Sequence, residues 1–435
     1  MKNIFLFLTI ACCFTAQAQS QNPFDPDALR YPHLVKDFYY HKHLTLFWFA
    51  ADSAAPGLRQ QLWQRIDSAR YYGLDSNRYH YAAIRNNRPG IHARITDSAS
   101  LYHLDRLFTD AALTLCKDLS QGKDIYDHLR YDELSAKSAA TADQQLLDQL
   151  ITVVDAAGLN ELLVRLEPQT KKYLALKQAL ALQLDSNAHS LKIRMLASSL
   201  DYYRWIGHFA FRQYILVNIA SATLKYYDND SLRLTMKIVA GKPSTPTPRF
   251  SARCTQITLY PYWNVPQRIT LTELLPLFKA SPGLVGEMGM QLISPEGNII
   301  DYRGLPWVKF SKTFFPYRVR QVTGCGNALG VVKFSLTDPF NVYMHDTNMK
   351  SAFASLSPYY SHGCIRLEKP ALLAEQLLGH PLDTTLLTQC LKDQQPILLT
   401  LDKPVPVLVV YITAEAEEDG QTAWYKDTYH LLTKK

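Results

Sequence analysis

The sequence predicts an α+β chain, with a helical N-terminal domain followed by a mostly β domain. Two observations carry this. Up to about Tyr203 the apolar residues recur every three to four positions, the spacing of one helix face. Beyond it, short runs rich in Val, Ile, Thr and Tyr are punctuated by Gly, Pro, Asn and Asp, the grammar of strands and turns. A chain of 435 residues, 47% hydrophobic and 20% charged, is globular in composition and long enough to bury more than one core.

Taken in order, MKNIFLFLTIACCFTAQAQS has one cation at Lys2, an apolar run from Ile4 to Phe14, and small residues at Ala16 and Ala18. This is the layout of a secretory signal peptide over residues 1–18 and predicts export to the periplasm. The run is too short to span a bilayer comfortably. Lipid attachment at Cys12 fits less well, because Thr9-Ile10-Ala11 makes a poor lipobox.

A helical domain is expected over residues 30–203. APGLRQQLWQRIDSARYYGLD stops at Gly73, and SLYHLDRLFTDAALTLCKDLSQGKD stops at Gly122. TADQQLLDQLITVVDAAGLNELLVRLEP reads as two helices broken at Gly158 and Pro168. KKYLALKQALALQL places Tyr173, Leu176, Leu180 and Leu184 on one stripe.

Residues 204–427 form the expected β-rich domain. RQYILVNIASATLKYYDNDSLRLTMKIVAG reads as two or three strands with a turn at Asp228-Asn229-Asp230, and STPTPR reads as a loop within the domain. A short helix at LTELLPLFKA precedes a hairpin around Pro295-Glu296-Gly297-Asn298. NALGVVKFSL and FNVYMHD are strands, PALLAEQLLGH is a helix starting at Pro370, and QPILLT and VPVLVVYITAEAEEDGQTAWYKD finish the domain with strands.

The formal net charge of +7 mildly favours anionic partners. No Lys/Arg run interleaved with aromatics supports nucleic-acid binding. Outside the leader stand Cys116, Cys254, Cys325, Cys364 and Cys390, widely spaced and without C-x-x-C. That excludes a zinc ribbon or a disulfide scaffold. An odd number leaves at least one thiol unpaired within the chain.

YYSHGCIRLEKP concentrates the chemistry. A thiol of lowered pKa is well suited to acyl transfer, and His362 and His345 are the nearby imidazoles, with 18 residues between His345 and Cys364. Gly363 permits a tight turn whose N–H groups can face an oxyanion. Arg366 alternates with Cys364 in an extended segment and can read a carboxylate. Three other readings of Cys364 stay open: a metal site with His345, His362 and Asp346, a disulfide with Cys325 or Cys390, and a merely buried thiol.

HDTNMKSAFASLSPYYSHGCIRL resembles the active-site pattern of the L,D-transpeptidase family, with its YkuD-like catalytic domain. ILVNIASATLKYY, PYWNVPQRIT, GCGNALGVVKF and VYMHDT are similar to its YcbB-like subgroup, which has a helical N-terminal domain, and YYGLDSNRY and LEPQTKKYLALKQAL extend the resemblance over nearly the whole mature chain. It departs from the pattern at Cys325, which takes a proline-like position, and at PYY, where the family often has RA[FY]. No segment resembles a peptidoglycan-binding repeat.

The resemblance implies Cys364 as nucleophile and His345 as proton acceptor and donor. His362 would shape the turn, Gly363 and the Cys364 N–H would form the oxyanion site, and Ser361 and Arg366 would support it. Asn327 and Gly330 would belong to a substrate-shaping loop, Tyr343 and Asp346 would flank the base, and a lid would lie within residues 271–312. It further implies peptidoglycan stem peptides as partners, with a tetrapeptide donor and a diamino-acid amine acceptor giving 3-3 cross-links. No metal or cofactor is expected, Cys364 would be sensitive to carbapenems, and other wall-synthesis proteins would be further partners. An L,D-carboxypeptidase, a wall-anchoring acyltransferase and a noncatalytic wall-binding scaffold are the rival functions.

Overall fold

The computed structural model describes residues 29–89, 98–123, 129–136, 139–186, 190–391 and 394–433. The expected leader lies outside the described residues. The helical part contains α1 (Pro32–His41), α2 (Ala55–Asp67), α3 (Ser98–Gln121), α4 (Ala139–Ile151), α5 (Ala156–Leu166), α6 (Lys171–Asp185) and α7 (Ser190–His208). Every residue from Leu107 to Cys116 of α3 is buried, because α3 runs through the centre of a core that includes Phe38, Trp48, Leu62, Phe108, Leu147 and Leu163. Its buried carboxylates are not left bare: Asp105 accepts from the Phe47 and Phe49 amides, and Asp118 from Arg78 and Tyr79. Such pairing offsets the desolvation of a buried charge.

The break between α4 and α5 corrects the reading at Gly158. It falls at residues 152–155, where the Asp155 carboxylate caps α5 by accepting from the Gly158 amide at 2.8 Å. Gly158 therefore lies in the first turn of a helix, where a side-chain cap outweighs glycine's low helix propensity. Arg204, the start of the expected β-rich domain, lies inside α7, which continues to His208. Its guanidinium is fully buried and donates to Asp201, Tyr173 and the Tyr72 carbonyl.

The strands are β1 (Tyr131–Asp132), β2 (Gln213–Asn218), β3 (Thr223–Asp228), β4 (Ser231–Gly241), β5 (Phe250–Leu259), β6 (Trp263–Asn264), β7 (Met290–Ile293) and β8 (Ile299–Ile300). They continue as β9 (Arg318–Gln321), β10 (Val332–Leu336), β11 (Met344–His345), β12 (Tyr359–Ser361), β13 (Ile365–Leu367), β14 (Ile397–Val410), β15 (Ala414–Ala416) and β16 (Thr422–Trp424). The order β5-β10-β11-β13-β4-β3-β2-β14, with β14 returning to β5, closes a barrel and removes its open edges. Asn229 and Asp230 both take positive φ between β3 and β4, the type I′ geometry of a two-residue hairpin.

QPILLT and the start of VPVLVVYITAEAEEDGQTAWYKD form one strand, β14. Its register with β5 shifts between Thr400 and Val405, and Pro404 and Pro406 lie at this irregularity, where a strand tolerates proline. FNVYMHD shrinks to the two ladder residues of β11, since Asp338 takes up the amides of Phe340 and Val342 before it.

Between β5 and β10 the chain builds an insert. β6, β9, β7 and β8 form a separate four-stranded sheet. It packs with α8 (Leu275–Ala280) around a core of its own, including Leu275, Phe278, Leu292, Trp307, Phe310 and Val319. The helical part is stitched to the barrel from both ends. β1 pairs with β5, while Tyr173, Leu176 and Leu180 of α6 pack with Met195, Leu196 and Leu200 of α7 against Ala414 and Ala416 of β15.

Candidate active site

A cleft of about 430 Å³ lies between the barrel and the insert. Barrel strands supply Tyr343, His345, Cys364 and Arg366, and the insert supplies Trp263, Arg268, Ile269, Glu273 and Met288. The sheet register explains the barrel side. β11 runs parallel to β13, with Met344 opposite Ile365 and His345 opposite Arg366. Met344 and Ile365 are wholly buried in the barrel core, so alternation turns Tyr343, His345, Cys364 and Arg366 to the other face.

Cys364 follows a turn that only glycine accommodates easily. Gly363 has φ +121°, a region that side-chain-bearing residues rarely enter. Ser361 clips this turn: its Oγ accepts from the Gly363 amide at 3.1 Å and donates to the Cys364 carbonyl at 2.6 Å. Thr247 donates to the Gly363 carbonyl at 2.8 Å. The Gly363 N–H is thereby engaged within the turn, so of the two expected oxyanion donors the Cys364 N–H is the one without an acceptor among the described residues.

The sulfur sits 3.9 Å from the Asn341 carbonyl oxygen, and Tyr343 lines the cleft with it. Cys325 and Cys390 form a disulfide with each other. The alternative pairing of Cys364 with either is thus excluded, and Cys364 is a free thiol, as are the buried Cys116 and Cys254. The metal reading also lacks its geometry: among the described residues no three His, Cys, Asp or Glu side chains converge as a ligand set.

His345 is buried and hydrogen-bonds through Nδ1 to the Asp346 carbonyl. A carbonyl can only accept, so Nδ1 carries the proton and Nε2 keeps its lone pair. The Asp346 side chain turns away from the cleft to Lys350 and the Val331 amide. Gly330 is its neighbour: a Cβ there would lie 2.2 Å from the Asp346 Oδ2. Asn327 is buried under the cleft rim, donating to the Pro261 and Val322 carbonyls, while Ala328 and Leu329 provide the lining. His362 points across the cleft mouth, with Nε2 2.8 Å from Glu273 Oε1 on the insert.

Residues 212–407 match the family model of the L,D-transpeptidase catalytic domain. The chain carries an L,D-transpeptidase catalytic domain. A distinct N-terminal domain precedes it, and residues 33–180 match the model of a scaffold domain. A Haemophilus influenzae protein provisionally named an L,D-transpeptidase is 30% identical over 68% of this chain, and the chain spans 58% of that relative's own length. An L,D-transpeptidase from Mycobacterium smegmatis aligns at 16% identity over 46% of this chain and 58% of its own, with a TM-score of 0.22. L,D-transpeptidase 1 of Mycobacterium tuberculosis aligns at 18% over 46% and 61%, with a TM-score of 0.21.

Electrostatics set the resting state of the L,D-transpeptidase domain's cleft. Burial pushes the Cys364 thiol above its ordinary range. Burial, then Arg366 and Lys333, push His345 down to about 3, because a further positive charge is costly there. Thiol and imidazole are therefore both neutral at pH 7. Such a pair can generate a nucleophile by transferring the S–H proton to Nε2. Among the described residues Arg366 Nε is buried without a partner and Nη1 meets only the Met349 sulfur at 3.7 Å, which leaves this guanidinium free to read a carboxylate.

Three contributors were not singled out from sequence. Trp263 lines the cleft with Tyr343, Glu273 holds His362, and Lys333 stands beside His345 in the sheet. Only Lys333 left a signal, as a cation in the middle of the apolar strand VVKFSL. Glu273 sits in a π-helical turn over Thr270–Leu274, a local geometry frequent at functional sites but unreadable from the sequence.

Proposed function

We propose that this chain is a periplasmic peptidoglycan L,D-transpeptidase that forms 3-3 cross-links through a thioester on Cys364. The observation that carries this is the free Cys364 thiol at the floor of the cleft, on one sheet face with His345 and Arg366. His345 Nε2 takes the thiol proton while sulfur attacks the carbonyl between the third residue, a diamino acid, and the terminal D-alanine of a tetrapeptide stem. The Cys364 N–H faces the developing oxyanion, where one well-placed donor contributes about 3 kcal/mol. D-alanine leaves with the proton from the His345 imidazolium. The side-chain amine of a second stem then attacks the thioester, gives its proton to His345, and the sulfur departs to recover it.

The unpartnered Arg366 suits the carboxylates of such stems. The insert, centred on the stretch 271–312, would act as a lid, a role supported by its separate core and its contact from Glu273 to His362. We divide the chain into a leader (1–18), a helical domain and a catalytic domain, with the expected 203/204 boundary moved to the end of α7 at His208. The scaffold-domain match at 33–180 supports placing it in the YcbB-like subgroup. Other wall-synthesis proteins are natural partners for such an exported enzyme.

Incubation with a purified disaccharide-tetrapeptide, followed by mass spectrometry, tests the reading. Cross-linked dimer with D-alanine released is the expected product. Tripeptide alone would make the protein an L,D-carboxypeptidase, and transfer to a protein amine a wall-anchoring enzyme. Absence of turnover with both wild type and Cys364→Ala would leave a noncatalytic scaffold and overturn the proposal. Carbapenem treatment is expected to add one drug mass to the wild type and none to Cys364→Ala.

A further inference from the structure

Lys333 lies on β10 opposite His345, which lies opposite Arg366 on β13. The three side chains thus form one cross-strand row, while Phe334, Met344 and Ile365 of the next row are wholly buried in the barrel core. Lys333 is half-buried, does not line the cleft, and has no carboxylate within ion-pair distance among the described residues. Its ammonium instead lies over the Tyr343 ring, 4.4 Å from the centroid. Tyr343 lines the cleft together with Cys364, and its ring is 5.6 Å from that of His345.

A half-buried cation without a counter-anion carries a desolvation cost in the resting enzyme. The negative charge that relieves it here is the one that appears on sulfur during reaction. An interaction stronger in the reacting state than in the ground state is the kind that accelerates chemistry. The other charged and titratable groups around the thiol sort by sign. Asp338, in the loop before β11, opposes the thiolate, whereas Arg366 on the same strand favours it. His345 rests neutral, and from the insert Glu273 is already engaged by His362.

We propose that Lys333 is a positioning residue for the reaction: held over the Tyr343 ring behind the cleft, its ammonium fixes that ring beside the Cys364 thiol and supplies the positive field in which the thiolate forms. This rests on Cys364 being the nucleophile. The same charge, with Arg366, keeps His345 unprotonated and able to receive the thiol proton.

The pH dependence of Cys364 alkylation by iodoacetamide, read by peptide mass spectrometry, tests this without requiring turnover. Cys116 and Cys254 are wholly buried and Cys325 and Cys390 are joined, so the peptide carrying Cys364 reports alone. Lys333→Met is expected to move the alkylation midpoint up by about one pH unit, slowing the reaction roughly tenfold at pH 7. Lys333→Arg is expected to restore the rate to within about twofold. Lys333→Gln replaces Lys333→Met should the latter fail to show a native near-ultraviolet spectrum. A folded charge-removing variant with the wild-type profile overturns the proposal, as does an arginine variant as slow as the neutral one. Failure of the transpeptidase reading is seen separately, as absent muropeptide turnover by a wild type whose Cys364 still titrates.

Discussion

At the scale of single residues, the cleft rests as a neutral thiol beside a neutral imidazole. The thiol lies above its ordinary pKa and His345 far below its own. The signs set two expectations. Alkylation of Cys364 in the wild type climbs about tenfold per pH unit through neutrality and beyond pH 9, as for any thiol below its pKa; a plateau beginning near pH 6 would mean a preformed thiolate–imidazolium pair instead. Because a depressed imidazole stays unprotonated until the pH falls toward about 3, kcat/KM should show no His345 inflection near pH 6.5. Gly363 is the other residue-scale determinant. Gly363→Ala at φ +121° is expected to cost about 1–3 kcal/mol and to displace the Cys364 sulfur by distorting the turn that Ser361 clips. Urea denaturation and the alkylation rate measure the two effects separately.

At the scale of elements, the turn between β9 and β10 is held three ways. Asn327 anchors it to the Pro261 and Val322 carbonyls, Gly330 sits against the Asp346 carboxylate, and Cys325 ties it to Cys390 across a sequence separation of 65 residues. Closing a loop of that size contributes about 4 kcal/mol in the chain-entropy account. Replacing Cys325 and Cys390 together by serine should therefore lower the stability measured in urea by about 2–4 kcal/mol while leaving Cys364 reactive. A loss of Cys364 alkylation in that variant would show instead that the staple also shapes the cleft. The insert depends on smaller contacts. Glu273→Gln, which removes the charge facing His362, is expected to speed hydrogen exchange over residues 267–280 with little change in the barrel. Unchanged exchange there would mean that Trp263 and the insert's own core suffice to hold it.

At the scale of the whole molecule, the two halves share a seam. β1 extends the barrel sheet from the helical side, the Ala414 amide donates to Ser199 on α7, and Leu176, Leu180, Leu196 and Leu200 pack against β15. Leu200→Ala should cost about 2–5 kcal/mol in a single cooperative urea transition that reports on helices and barrel alike. Two separated transitions would show that the seam does not couple them.

Much of this was legible in the sequence, for reasons tied to periodicity and local chemistry. The helical spacing and the Gly73 and Gly122 stops marked the first domain, and β-rich runs with a turn at Asp228-Asn229-Asp230 marked the second. The Gly363-Cys364 turn with Arg366 in alternation followed from the need of a strained glycine and a period of two. Where local signals conflicted, the tertiary structure decided. Asp155 capped a helix across the expected Gly158 break, and a register shift carried one strand through Pro404 and Pro406. The cysteine partners depended on which loops meet, so Cys325 found Cys390 and left Cys364 free. The cross-strand row of Lys333, His345 and Arg366 is a matter of register between strands distant in sequence, and so is the reach of Glu273 to His362 from an insert with its own core. Residue types and their spacing were enough to name the groups able to do the chemistry, because reactivity belongs to side chains; the charges around those groups came from the fold, because fields are set by neighbours in space.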